Sequence, residues 1–182
     1  GENAILSILA FKSKKIGIIV TGSEVACGRI EDKFSPVMVS KLKEYDYEVS
    51  KISFCSDNQE EIVSELANME RLGFDLVMCT GGMSVDPDDK TPGAIKAFGA
   101  DILSYGAPVL PGAMFLLGYK GEMTVLGVPG CAMYNRRTVL DLILPRVLCE
   151  DVITKKELAE YAEGGLCLGC RECHFPNCGF GK

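Results

Sequence analysis

Asp75-Leu76-Val77-Met78-Cys79-Thr80-Gly81-Gly82-Met83-Ser84-Val85-Asp86-Pro87-Asp88-Asp89-Lys90-Thr91-Pro92 is the stretch that decides the fold. Its first residues are an apolar run ended by a turn signal, which reads as a buried strand, Phe74–Thr80. Gly93-Ala94-Ile95-Lys96-Ala97-Phe98 follows and reads as a helix, started by Thr91-Pro92 and closed by Gly99. A strand that opens through two glycines into a helix start brings bare backbone N–H groups close to a ligand. Asp86, Asp88 and Asp89 stand beside that turn. Carboxylates there suit a hard cation, or simply the positive end of the helix.

The same plan occurs twice more. Lys15-Ile16-Gly17-Ile18-Ile19-Val20 is a β-branched strand that runs into Thr21-Gly22-Ser23-Glu24 and then Gly28-Arg29-Ile30-Glu31-Asp32. Gly127-Val128-Pro129-Gly130 is a third glycine turn. Between these lie a helix started by Ser35-Pro36, a strand over Glu48–Cys55, and a helix capped by Asp57 or Asn58 with Ile62, Leu66 and Met69 facing inward. After the central stretch come a strand over Ala100–Tyr105, a turn-rich loop over Pro108–Gly112 and a hairpin around Lys120-Gly121. A helix from Ala132 to Leu148 and another over 154–163 complete the pattern, and residues 4–12 read as a short lead-in helix. Alternating strands and helices define an α/β three-layer sandwich: a mostly parallel sheet, helices on both faces, and a hairpin at one edge. Its glycine turns fall at the carboxyl edge, where open α/β sheets bind ligands.

The chain has 182 residues, 47% of them hydrophobic and 24% charged. That suits one domain over 15–150, a lead-in segment over 1–14, and a helix with a cysteine-rich tail over 151–182. A net charge of −6 and a pI near 4.9 argue against nucleic acid or an anionic membrane surface as partner. No apolar run approaches the roughly 18 residues of a membrane span. The start has neither an initiator Met nor a signal-peptide pattern, so the chain is read as the C-terminal part of a protein with a missing N-terminal portion. There are nine cysteines. Cys55, Cys79, Cys131 and Cys149 sit in or beside apolar segments, a pattern of buried thiols that suits a reducing cytoplasm. His174 is the only histidine, which leaves little support for a histidine-based triad.

Taken in order, Thr21-Gly22-Ser23-Glu24, Gly28-Arg29-Ile30-Glu31-Asp32, Gly81-Gly82-Met83-Ser84-Val85 with Asp89, Pro111-Gly112 and Val128-Pro129-Gly130 resemble the molybdopterin-binding domain of molybdenum cofactor biosynthesis proteins. The resemblance covers about residues 15–148. It implies a pterin–dithiolene–phosphate ligand and, in the family's enzymes, adenylation of molybdopterin or molybdate insertion with a divalent cation such as magnesium. It implies Asp32 and Asp89 as the acidic, catalytic positions. Thr21, Gly22 and Glu24 match the first binding loop, Gly81, Gly82 and Ser84 the phosphate-side loop, and Pro129-Gly130 the third. It also implies a homo-oligomer. The chain departs from the family at Phe34, where Asn is common; at Ala113, where Lys is common; and at Cys131-Ala132, where Asn-Pro is common. Lost lysine and asparagine remove ways to neutralise or orient an anion. A cofactor carrier or sensor without turnover is therefore a second reading. A nucleotide-processing enzyme of the competence-damage-inducible type, which shares this domain, is a third.

The tail is a separate motif. Cys167-x2-Cys170-x2-Cys173-x4-Cys178 brings thiols close enough to share one centre. It resembles a ferredoxin run with one more residue before the last cysteine and no proline after it. Zinc held by four thiolates fits the ligand type equally well. Oxidised pairs or free thiols are the plain alternatives.

Overall fold

A computed structural model describes residues 7–84, 86 and 89–182. Gly1–Leu6 of the lead-in segment, and Val85, Pro87 and Asp88 of the central loop, lie outside the described residues. Six strands form one sheet: β1 (Ile16–Thr21), β2 (Val49–Cys55), β3 (Leu76–Thr80), β4 (Asp101–Tyr105), β5 (Leu116–Lys120) and β6 (Met123–Val128). The helices are α1 (Ser23–Ala26), α2 (Phe34–Lys43), α3 (Gln59–Arg71), α4 (Thr91–Ala97), α5 (Val139–Leu148) and α6 (Lys155–Glu160). The strand order is β2-β1-β3-β6-β5-β4. β2, β1, β3 and β6 are mutually parallel, and β5 runs against both of its neighbours.

β1, β3 and β6 are buried at every position, as strands covered on both faces must be. Alternate side chains feed two cores. Ile16, Ile18 and Val20 pack with Leu76 and Met78 against Met38 and Leu42 of α2 and Leu140 and Ile143 of α5. Ile19, Val77, Cys79 and Val125 pack on the other face against Ile62, Leu66 and Met69 of α3 and Ala94 and Ile95 of α4. Each buried Leu or Ile contributes about 1.5–3 kcal/mol relative to exposure. Two cores on one sheet therefore hold its carboxyl edge rigid beneath the loops.

Several sequence expectations are corrected here. The described part of the lead-in, residues 7–15, is not helical. It is tied down instead by Lys12 N–H to the Leu148 carbonyl at 3.0 Å and by Phe11 set edge-on to Tyr45 and Tyr47. α2 begins at Phe34, ahead of the Ser35-Pro36 start. The expected helix over 132–148 is broken: a 3-10 turn covers Gly130–Met133, residues 134–138 are not helical, and α5 starts afresh at Val139. The Asp141 carboxylate explains the break. It accepts the Thr138 N–H at 2.7 Å in a capping box, the Lys41 ammonium at 2.6 Å and the Arg137 guanidinium at 2.7 Å. Lys41 and Asp141 are a buried pair, their side chains 8% and 1% exposed. These three donors on one carboxylate fix a corner that a continuing helix would destroy.

Candidate functional site at the carboxyl edge

The chain passes from β1 to β2 on one side, then crosses over β1 to reach β3. The crevice between β1 and β3 is therefore the switch point of the sheet, the place where such folds leave room for a ligand. Register sets Thr21 beside Cys55, Val20 beside Thr80 and Thr80 beside Val128. All three glycine turns accordingly start from one level of one edge.

The first two turns are bolted together. Thr21 is 3% exposed. Its hydroxyl reaches the Thr80 carbonyl at 3.3 Å and shares a hydrogen bond with the Thr91 hydroxyl at 3.0 Å, while Thr91 Oγ1 donates to the Gly81 carbonyl at 2.8 Å. Gly81 has φ +90, and a Cβ there would stand 2.0 Å from the Thr21 carbonyl oxygen. Gly82 has φ +51, with Thr91 Oγ1 3.1 Å from its Cβ position. Gly81 is thus required by backbone crossing backbone, and Gly82 by its positive φ beside the Thr91 hydroxyl. Thr21 is a positioning group, its hydroxyl engaged between loops. Thr91, read from sequence as a helix cap, is instead the first residue of α4, with Lys90 at the cap position, and its hydroxyl is the fastener between the two turns.

Gly22 N–H donates to the Cys55 carbonyl at 3.0 Å. The next two donors, Ser23 N–H and Oγ–H, bind Asp57 Oδ2 at 2.8 and 2.9 Å. Asp57 therefore belongs to the first loop, and Asn58 alone caps α3, accepting the Glu61 N–H at 2.9 Å. Glu24 is exposed on α1, and its carbonyl accepts Arg29 N–H at 2.9 Å, folding the loop toward Asp32.

Both candidate acids are engaged. Asp32 Oδ1 accepts the Phe34 and Ser35 N–H groups at 2.8 and 3.1 Å, and Oδ2 accepts the Ser35 hydroxyl. It stands at the positive end of α2, so its carboxylate stabilises the helix start. Asp89 Oδ2 accepts the Ser84 N–H at 2.6 Å, and the Asp89 N–H donates to the Asp86 carbonyl at 3.0 Å. The Tyr105 hydroxyl closes that loop on the Ser84 carbonyl at 3.0 Å. Burial, then the Asp89 charge, raise the Tyr105 pKa above its ordinary value, so the phenol keeps its donor proton. The Asp89 carboxylate thus sits on the Ser84 amide of the central loop. That is the interaction an incoming anion would make there, and a cation would relieve its charge.

The third turn closes the crevice. Pro129 precedes the 3-10 turn and its carbonyl accepts the Ala132 N–H at 3.1 Å. The Phe34 ring stands 3.8 Å from the Cβ position of Gly130, so an aromatic wall faces this turn. Burial pushes the Cys55 thiol up to about 11, followed by Glu61 and Glu65, and burial raises Cys79 as well. Both thiols at this edge stay protonated.

Beyond the third turn lies the tail. Arg137 is 18% exposed and joins Glu44 and Asp141, with the Phe175 ring 4.9 Å from its guanidinium. Burial alone would lower its pKa, but the Glu44 and Asp141 hydrogen bonds outweigh that and hold it above its ordinary value. The tail is clasped at both ends: Cys167 N–H to the Leu110 carbonyl at 2.8 Å, and Gly181 N–H to the Gly164 carbonyl at 2.8 Å, with Phe180 buried. The Phe175 N–H lowers the Cys173 thiol pKa; burial opposes this slightly, and Arg137 adds to the lowering. Cys167, Cys170, Cys173 and Cys178 are all free thiols. Among the described residues no three His, Cys, Asp or Glu side chains converge to hold one metal ion. All four tail cysteines line one cavity of about 690 Å³, together with Arg136 and Arg137.

A family model described as "Probable molybdopterin binding domain" matches residues 17–148. The chain belongs to that family. Among solved structures, the molybdopterin biosynthesis enzyme MoaB from Thermus thermophilus superposes with a TM-score of 0.60 at 21% identity, over 74% of this chain and 91% of that one. The molybdopterin biosynthesis Mog protein from Mycobacterium ulcerans gives 0.62 at 18% identity, over 77% and 100%. At such identities the likeness is one of fold. A CinA-like protein of Mycobacterium sp. (strain JLS) is 35% identical over 86 residues, 47% of this chain but only 20% of that protein. Among the described residues no helix is long and apolar enough to cross a membrane.

Proposed function

We propose that the carboxyl edge binds molybdopterin, or its adenylated form, as part of molybdenum cofactor assembly. The observation that carries this reading is the junction of the β1 and β3 turns through Thr21, Thr91 and Gly81 at the switch point of a sheet of this family. Gly22, Gly81, Gly82, Gly130 and Pro129 form the backbone of the cradle, with Glu24 and Ser84 on its rim. The phosphate sits against the Gly81-Gly82 turn. Asp89 and Asp32 would be the carboxylates that hold magnesium, which would offset the ligand's phosphate charge. The chemistry open to that arrangement is adenylyl transfer or molybdate insertion, in which the cation offsets charge on phosphate and molybdate oxygens. Without turnover, the same cradle makes the chain a cofactor carrier or sensor. The domain works as a homo-oligomer in the cytoplasm, and the tail thiols are metal ligands, with zinc and an iron–sulfur cluster as candidates.

The match to CinA-like proteins favours a second reading, nucleotide processing. Incubating the chain with dinucleotide and mononucleotide substrates separates the two: product formation at enzymatic rates supports the second and contradicts the first.

Asp89→Asn tests the metal role. Asparagine still offers an acceptor to the Ser84 N–H, so the loop is expected to keep its shape while losing its charge. Molybdopterin affinity measured with and without magnesium is expected to lose most of its magnesium dependence, about tenfold or 1.4 kcal/mol. An unchanged magnesium dependence contradicts a metal role for Asp89.

A further inference from the structure

We infer that the tail is a strap on the carboxyl-edge site: its residues 164–167 hold the loop between β4 and β5, and with it the Pro111-Gly112 turn, in the place where that loop bounds the ligand. The inference rests on the pterin reading for what the loop bounds. It adds to the site a segment that lies outside the family-matched residues 17–148.

The loop belongs to the same edge as the glycine turns. β4 ends at Tyr105 and β5 begins at Leu116, and register sets Tyr105 beside Leu116 and Leu116 beside Gly127. Gly127 in turn stands beside Cys79. Residues 106–115 therefore leave the sheet at the level of the central and third turns. β5 lies two strand spacings from β3, about 10 Å, a gap that a fused-ring ligand with a phosphate arm can bridge. On its inner side the loop is fixed to the domain. Val109 is buried, the Val139 N–H at the start of α5 donates to the Pro111 carbonyl at 3.1 Å, and a Cβ on Gly112 would meet Val139 Cγ1 at 2.5 Å.

Its outer side is held by the tail. The Leu110 N–H donates to the Gly165 carbonyl at 2.7 Å, and the Leu110 carbonyl accepts the Cys167 N–H at 2.8 Å, a short parallel bridge centred on Leu110 and Leu166. Both backbone polar groups of the residue before Pro111 are thus satisfied by the tail. The Leu110 and Leu166 side chains are 56% and 59% exposed, so backbone pairing rather than side-chain burial makes this bond. It demands a bare backbone at Gly165, where a Cβ would stand 2.3 Å from the Pro108 carbonyl oxygen and 2.6 Å from that of Tyr161. The strap is itself tied off. The Gly181 N–H closes on the Gly164 carbonyl at 2.8 Å, and Phe180 is buried in the core that α5 shares. A hold made of backbone hydrogen bonds with few apolar contacts opens at lower cost than the sheet does. Released by the tail, the loop keeps its inner anchors and loses its outer ones, which loosens the wall without unfolding the domain.

Hydrogen exchange and molybdopterin affinity of Gly165→Ala in the full chain test this. Gly179→Ala is the matched control, since a Cβ on Gly179 meets nothing within 4 Å. In Gly165→Ala the amides of Leu110 and Cys167 are expected to exchange at least about tenfold faster, the signature of a local opening, while β3 and β6 keep their protection. Affinity is expected to fall severalfold, and the control to match the parent in both measurements. Unchanged exchange at Leu110 overturns the strap. Faster exchange with parental affinity means a hold that the ligand does not use, and overturns its role at the site. Lost protection in β3 and β6 makes Gly165 part of the global fold and overturns a separate strap. A parent without affinity for molybdopterin contradicts the pterin reading, and the ligand role with it, whereas the exchange result still decides the hold on the loop.

Discussion

Gly81→Ala is expected to destabilise the chain by about 3 kcal/mol or more. Positive φ costs any non-glycine residue roughly 1–2 kcal/mol. Here the added methyl also meets the Thr21 carbonyl oxygen at 2.0 Å and Thr21 Oγ1 at 2.7 Å. Neither can retreat, because Thr21 ends a fully buried strand and its hydroxyl is shared with Thr91. The β1 and β3 turns must separate, which takes the crevice with them. Denaturant unfolding gives the loss in stability. Molybdopterin binding by the fraction that remains folded is expected to fall as well. A variant within about 0.5 kcal/mol of the parent, the range of ordinary surface substitutions, contradicts the close crossing of these loops.

Asp141→Ala is expected to cost about 3–5 kcal/mol. The carboxylate is the sole acidic partner of the buried Lys41 ammonium among the described residues, and the inner partner of Arg137. Removing it leaves a buried cation, an uncapped Thr138 N–H and a loosened α5 start. The second consequence is at the tail. Arg137 keeps only Glu44, which is 41% exposed, as its ion-pair partner, so its hold on Phe175 weakens. Hydrogen exchange is expected to accelerate over residues 134–138 and 171–178 together. A drop in thermal midpoint of roughly 6–20 °C corresponds to this loss at the chain's size. If exchange in the tail is unchanged, Arg137 does not couple the third turn to the tail.

The fold was legible because its strands are β-branched runs with sharp ends. Ile16–Thr21 and Leu76–Thr80 stop at glycines, and Lys120-Gly121 marks the hairpin that turns β5 against β6. The helix break at 134–138 was not legible from periodicity. Arg136-Arg137 continues a helical pattern, and the corner is held by Asp141 together with Lys41, Glu44 and Phe175, which are remote in sequence. Thr138-x-x-Asp141 was the available signal, a capping-box pattern inside an apparent helix. Nothing local marks Lys41 as buried, since lysine is ordinarily an exposed residue. At the site, the three glycine turns could be read but their hydrogen bonds could not. Ser35-Pro36 imitates a helix start, yet Asp32 captures the amides one residue earlier. Thr91 imitates a cap, yet its hydroxyl is drawn to the Gly81 carbonyl. Asp57 competes with Asn58 for the start of α3 and instead binds Ser23. Short polar side chains beside turns have several backbone partners within reach, and packing selects among them.

The most direct test of the carboxyl-edge reading is the identity of what the chain carries. Protein purified without oxygen is denatured, and the released small molecules are identified by mass spectrometry, with Gly82→Val as the matched control. A branched side chain at φ +51, beside the Thr91 hydroxyl, is strained and fills the cradle. The predicted result is molybdopterin or its adenylated form in the parent, and little or none in the control. Finding no pterin in the parent, or equal amounts in both, contradicts a pterin site built on the Gly81-Gly82 turn.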